Sequence, residues 1–259
     1  MKYYQALFIG LAGLQSNSTV AQEADLAQQL ANPIAAIISV PFQLNFDQNL
    51  GPTENGERTT LNFQPIIPFG LDNGANVVTR TIVPYVWQED VVPGTSQQGF
   101  GDISLNAWYS QTTQNNLTWG VGPTVLVPTY SSVSGDTWGA GITGIVLKVE
   151  GPWTYGGLAS HTWDVESSPT TPINSTFLQP FVAYSTTNAW TFSLQSESTY
   201  DWEDNEWNIP VNVSVSKLAP VGKVPVNWQL GFGYWADSPP DGPEGMRFRL
   251  QAQLVFPRN

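Results

Sequence analysis

From Ala36 to the C-terminus, apolar and polar residues alternate with a period of two, broken at intervals by Gly, Pro, Asn and Asp. The last run is the clearest. In Arg247 to Phe256, Phe248, Leu250, Ala252, Leu254 and Phe256 share one face, and Arg247, Arg249, Gln251 and Gln253 share the other. Successive side chains of a strand point to opposite faces, so this is a strand with one apolar and one polar side. The same holds for Ile38, Val40, Phe42, Leu44 and Phe46, for Ile103, Leu105, Ala107 and Tyr109, and for Trp190, Phe192 and Leu194. It holds again for Trp207, Ile209, Val211, Val213 and Val215, and for Val224, Val226, Trp228, Leu230, Phe232 and Tyr234. Around Gly141 and Leu178 the alternation does not decide the facing.

About twelve such segments are expected, each near the length a strand needs to cross a membrane. They run over Ala36–Phe46, Thr59–Phe69, Asn76–Trp87, Gly101–Thr112, Leu117–Pro128 and Trp138–Val149. The second half comprises Trp153–Trp163, Ser175–Ser185, Trp190–Tyr200, Trp207–Lys217, Val224–Trp235 and Met246–Phe256. The links after even-numbered segments are short: Gly70–Ala75, Thr113–Asn116, Glu150–Pro152, Thr186–Ala189 and Leu218–Lys223. Those after odd-numbered segments are mostly longer and acidic, as in Asp47–Arg58, Gln88–Phe100, Asp164–Asn174 and Ala236–Gly245. Short turns on one side and long loops on the other are the arrangement of outer-membrane barrels. The expected fold is therefore all-β, an antiparallel transmembrane β-barrel with short periplasmic turns and longer extracellular loops. The final strand is expected to close it against the first.

Composition agrees. The chain of 259 residues is 12% charged, about half the usual share for a soluble domain. It holds 11 Trp, most of them near segment ends, where aromatic girdles sit. A soluble β-sandwich would place tryptophans at strand centres. No apolar run is long enough for a membrane-crossing helix. The formal charge of −12, from 9 basic and 21 acidic residues, argues against a nucleic-acid partner. The absence of cysteine removes disulfides, thiolate catalysis and cysteine metal sites. Residues 1–21 read as a signal peptide, with Lys2, an apolar Ala6–Leu14 and a small-residue Thr19-Val20-Ala21 site. Residues 22–35 read as a periplasmic lead-in with one helix near Glu23–Asn32, ended by Pro33, and 36–259 as a single barrel domain.

Several motifs resemble one bacterial family. They are Ile37-Ile38-Ser39-Val40-Pro41-Phe42-Gln43, Asn62-Phe63-Gln64-Pro65-Ile66-Ile67-Pro68-Phe69 and Thr79-Arg80-Thr81-Ile82-Val83-Pro84. Gly99-Phe100-Gly101-Asp102-Ile103, Trp119-Gly120-Val121-Gly122-Pro123-Thr124, Leu178-Gln179-Pro180-Phe181 and Leu254-Val255-Phe256-Pro257 follow. The chain resembles the outer-membrane "transporter" family often mislabelled neuromedin U, and is similar to phenol-degradation meta-pathway barrel proteins. The resemblance covers nearly all of the chain after residue 21. It implies an outer-membrane barrel of a Gram-negative bacterium, with no catalytic residue or cofactor to carry over.

With apolar faces on lipid, the opposite faces line the lumen. That places Arg80, Asp102, Glu197, Arg247 and Arg249 inside, since a charge on the lipid side at mid-membrane costs about 2–4 kcal/mol. Such charges either filter solutes or brace a narrow barrel as ion pairs. Most acids fall in the long links, Asp47, Glu57 and Glu89 among them. The group Asp201, Glu203, Asp204 and Glu206 offers hard oxygens for an extracellular cation, though not with calcium-loop spacing. As a plain acidic rim it would bridge to lipopolysaccharide and concentrate cations at the mouth. His161, the one histidine, has no motif-marked nucleophile and reads as an interface residue beside Trp163. The reading is a non-enzymatic channel passing a small solute, apolar or aromatic by resemblance. The alternative is a blocked barrel acting as a structural or adhesive protein through its loops.

Overall fold

The computed structural model describes residues 21–167, 169 and 171–256; the expected signal peptide, apart from Ala21, lies outside them. Fifteen strands form one antiparallel sheet. They are β1 (Ile38–Leu50), β2 (Gly56–Phe63), β3 (Ile66–Gly70), β4 (Asn76–Glu89), β5 (Ser96–Phe100), β6 (Ile103–Thr112), β7 (Leu117–Val127) and β8 (Gly139–Glu150). Next come β9 (Trp153–Asp164), β10 (Asn174–Ser185), β11 (Trp190–Ser196), β12 (Ser198–Asp201), β13 (Glu206–Val221), β14 (Val224–Asp237) and β15 (Gly245–Phe256). Three membrane strands are each broken once, into β2/β3, β5/β6 and β11/β12, at Gln64-Pro65, Gly101-Asp102 and Glu197. Joined across those breaks, the fifteen make twelve staves. Strand β15 pairs with β1 from Ile38↔Phe256 to Phe46↔Phe248, and β9 pairs with β10, so the sheet closes.

Closure satisfies every strand edge, which a lipid environment requires because no water is present to pair with bare backbone. The register keeps the two faces apart. Phe42, Leu105, Ile142, Leu178, Phe192, Val213, Trp228 and Leu250 are all exposed on the outside. Gln43, Asn45, Asn212, Arg247, Arg249 and Gln253 are buried inside. Aromatic pairs ring both ends. Tyr85–Trp87–Phe100 and Tyr200–Trp202–Trp207 stand at the long-loop end, and Trp153–Tyr184 and Tyr109–Trp119 at the short-turn end. This is an outer-membrane barrel with its apolar belt on lipid.

Two expected loops are largely strand. β1 runs on to Leu50 and β2 begins at Gly56, while β4 runs to Glu89 and β5 begins at Ser96. Beyond the lipid the outer face has no reason to stay apolar, so the hairpins continue without the alternation that marks them within the membrane. The helix occupies 21–30, close to expectation. It lies at the short-turn end, where Gln28 Nε2 donates to the Gly151 carbonyl at 2.5 Å and Ala27 packs with Ile37, Ala189, Leu218 and Val255. After it the chain turns inward. The Asn32 side chain accepts from the Ile34 amide at 2.9 Å, and Ile34 is buried with Trp108, Val78, Ile145, Leu147, Leu158 and Ile66. Gly120 makes the room: a Cβ there would meet the Ile34 Cδ1 at 3.1 Å and the Trp108 Cβ at 3.2 Å.

Candidate lumen constriction

Among the described residues, two cavities lie along the interior. The outer one, of about 480 Å³, is lined by Arg80, Glu197, Arg247 and Arg249 among others. The inner one, of about 160 Å³, is floored by Ala27, Leu30, Ala31 and Pro33 of the lead-in. Six side chains line both: Gln43, Gln64, Arg80, Gln179, Glu197 and Arg249. They form a polar belt between the cavities.

Hydrogen bonds fix the belt. Arg249 makes a bidentate pair with Glu197, at 3.1 and 2.5 Å, and its Nε donates to Asn45 at 2.7 Å. Planar fork and carboxylate match, which makes this the strong form of ion pair. Glu197 sits at the β11/β12 break, where pairing with β10 shifts from β11 to β12. The chain from Gln179 through Gln195 to Glu197 extends the network to β10, at 3.2 and 3.4 Å. On the other flank Arg80 Nη2 donates to Gln64 at 2.5 Å, and the Gln64 and Gln43 amides meet at 3.0 Å. Gln64 reaches inward at the β2/β3 break, so two of the three breaks carry belt residues.

Above the belt, Arg247 pairs with Asp47 at 3.1 Å, stacks on the Trp235 ring with 4.8 Å to its centroid, and Trp235 Nε1 donates to Asp47 at 2.9 Å. Gly233 is required here, since a Cβ would lie 2.6 Å from the Arg247 Cγ. Asp47 and Trp235 are lumen residues that the sequence pattern does not reveal. The sequence pattern puts Asp47 in a loop because the apolar alternation of β1 stops at Phe46, and Trp235 in a girdle because it stands near a strand end. The sign that could have revealed Asp47 is its continuation of the inward series Gln43, Asn45.

The other sequence-derived positions divide. Arg80, Glu197, Arg247 and Arg249 converge on one stretch of lumen. Asp102 does not line the chamber. It lies at the β5/β6 break, where both its carboxylate oxygens accept from the Gly135 amide, at 3.0 and 3.1 Å, and anchor the β7–β8 loop. In the acidic group, Asp201 Oδ1 turns back to accept from the Glu203 and Asp204 amides at 2.9 and 3.4 Å, closing a tight turn with Glu206 paired across from it. Among the described residues no three His, Asp or Glu side chains converge as a metal site. His161 Nδ1 contacts Thr176 Oγ1 at 2.7 Å, and its ring lies tilted against Trp163, 4.1 Å between centroids, in the girdle.

One wall is apolar. Trp108, Leu158 and Phe177 line the outer cavity, and Ile145, Leu147 and Val78 continue the patch toward Ile34. These come mainly from β6–β10, whereas the charged groups come from β15, β1, β4 and the β11/β12 break. The lumen is two-sided.

Fold and lumen together define a twelve-stave outer-membrane barrel with a narrow polar belt. No protein-family model matches the chain, and no curated protein matches it. Solved structures do. The chain is similar to the COG4313 outer membrane channel from Pseudomonas putida F1, at 15% identity with a TM-score of 0.67, covering 87% of this chain and 97% of that one. It is similar to the NanC porin at 10% identity and a TM-score of 0.53, covering 85% and 100%. The β domain of the Bordetella autotransporter BrkA follows at 9% identity and 0.50, again covering 85% and 100%. At these identities the likeness is one of fold.

Proposed function

We propose that this barrel is a diffusion channel for a small solute, with the belt as its selective constriction. The reading rests on one observation: an outer and an inner cavity meet at six polar side chains from separate staves. A barrel braced only for stability would fill that level with apolar groups, which cost no desolvation. The apolar wall, together with the resemblance to meta-pathway barrel proteins, supports a solute with an apolar or aromatic body. The COG4313 and NanC proteins are described as a channel and a porin, which supports the class and not the solute. The acidic rim meets lipopolysaccharide through bridging cations, and residues 1–21 are removed on export.

One observation favours a second reading. The lead-in floors the inner cavity with Ala27, Leu30, Ala31 and Pro33, and Ile34 packs into the wall beside it, as in a blocked barrel that acts through its loops. Conductance in a planar bilayer separates the two. Residues 22–259 should give steady unitary currents, larger once residues 22–35 are deleted. A folded, heat-modifiable barrel that stays silent with and without those residues would be a blocked one.

A further inference from the structure

We propose that Arg80, with the apolar wall facing it, is a binding subsite for organic monoanions that carry an apolar body, an aromatic carboxylate being the type. The proposal deepens the channel reading and rests on it for the route by which the anion arrives. Its starting point is an asymmetry among the arginines. Arg247 and Arg249 each hold a carboxylate, Asp47 and Glu197. Arg80 makes no ion pair among the described residues: its Nη2 donates to the neutral Gln64, and its Nε is buried without a hydrogen-bond partner. Three guanidinium groups and two carboxylates line the outer cavity, so one positive charge is in excess there; Glu197 attracts Arg80 from a distance, but its carboxylate is held by the Arg249 fork.

A guanidinium withdrawn from bulk water without a counter-ion is costly, and an incoming carboxylate relieves that cost. Its planar pair of oxygens fits the guanidinium fork better than a spherical ion does. The second half of the subsite is apolar. Ile82, Trp108, Leu126, Leu158 and Phe177 line the same cavity as Arg80. An anchored anion with an aromatic ring can lay that ring on this wall, which acetate or chloride cannot use. A neutral aromatic gains the wall but leaves the charge unmet. The 480 Å³ cavity falls in the size range of small-molecule sites. The acidic rim does not cancel this. Its field in the open mouth is screened over about 8 Å at physiological salt.

The test is the fluorine NMR linewidth of 4-fluorobenzoate and 4-fluorobenzamide titrated with the folded barrel in detergent, with acetate as competitor. Saturable broadening of the benzoate is expected, with the benzamide and acetate each binding at least about tenfold more weakly. Arg80→Gln should weaken the benzoate by about the same factor, and Arg80→Lys by less, since it keeps the charge without the fork. Ile82→Thr should weaken the benzoate and leave acetate unchanged. Equal binding of benzoate and benzamide to the unaltered protein, a comparison that needs no variant to fold, would overturn the proposal. So would benzoate binding that Arg80→Gln leaves intact. Ion current in a bilayer is read separately. Current without benzoate binding removes the subsite alone, whereas benzoate binding without current removes the channel reading and leaves the subsite.

Discussion

Replacing Ile34 with Ala should undock the segment that floors the inner cavity. Ile34 is 3% exposed, and its Cδ1 sits over Gly120 beside Trp108. The change removes three carbons, worth about 2.4 kcal/mol at about 0.8 kcal/mol each. The cavity left against Trp108, Ile145 and Leu158 adds to this, because stiff barrel walls relax little. About 3 kcal/mol is a fair total, on the order of a hundredfold in the ratio of undocked to docked segment. The helix keeps its own contacts with Leu218, Ala189 and Val255, so the barrel itself should not unfold. Amide hydrogen exchange of residues 32–36 in the detergent-folded protein should accelerate by about that factor, while the β1–β15 seam exchanges as before. Single-channel current should rise or flicker open more often. Unchanged exchange at 32–36 with unchanged current would refute the idea that Ile34 holds the segment in place.

Breaking the Arg249–Glu197 pair should cost more singly than doubly. Arg249→Leu and Glu197→Leu each strand a charge, and the double variant should recover about 1.5–3 kcal/mol of coupling in urea unfolding from lipid vesicles. Fully additive losses would mean that the pair contributes nothing. Leu250→Arg, on the exposed outer face of β15 opposite Leu44 and Leu230, should lower unfolding free energy by about 2–4 kcal/mol. If the same assay finds it harmless, the lipid-facing assignment of that face is wrong. Raising salt from 0.1 to 1 M shortens the Debye length from about 10 to about 3 Å. The open acidic rim should then lose its pull on cations before the enclosed Arg80 loses its pull on anions. Reversal potentials should shift toward anion preference as salt rises, and a shift the other way would place the controlling charge elsewhere.

The fold was legible because lipid imposes one rule on twelve staves. Arg247 and Arg249 could be placed inside from Phe248, Leu250 and Phe256 alone, and the strand pairs with β1 as the alternation required. Where that rule ends, the alternation no longer fixes which way a side chain faces. Asp47 lies one step past the apolar series of β1, and its inward turn is set by Arg247 on a strand 200 positions later in the chain. The interior apolar wall was invisible for a different reason. A Trp108 or Leu158 on the polar face looks like a lapse in the alternation, and only the closed sheet brings it to Ile34 and Phe177. Asp102 satisfied the facing argument but stands at a break in its stave, where a loop amide claims it.

The pairing of lumen charges explains why bracing and filtering need not compete within one barrel. Removing a partner from a buried pair is expensive, so Asp47–Arg247 and Glu197–Arg249 are fixed structural elements with little left to offer a passing ion. They tie β15 to β1 and to the β11/β12 break, the seam where the chain ends meet. A selective site needs the opposite property, a group whose best partner is absent until the solute arrives. Arg80 has that property because the stave beside it breaks at Gln64-Pro65, which sends an amide rather than a carboxylate into reach. Gln64→Glu would supply the missing carboxylate at that point. It should convert Arg80 into a third brace, raise the unfolding free energy or leave it level, and abolish the benzoate response. If the benzoate response survives Gln64→Glu, the charge that anchors the anion is not on Arg80.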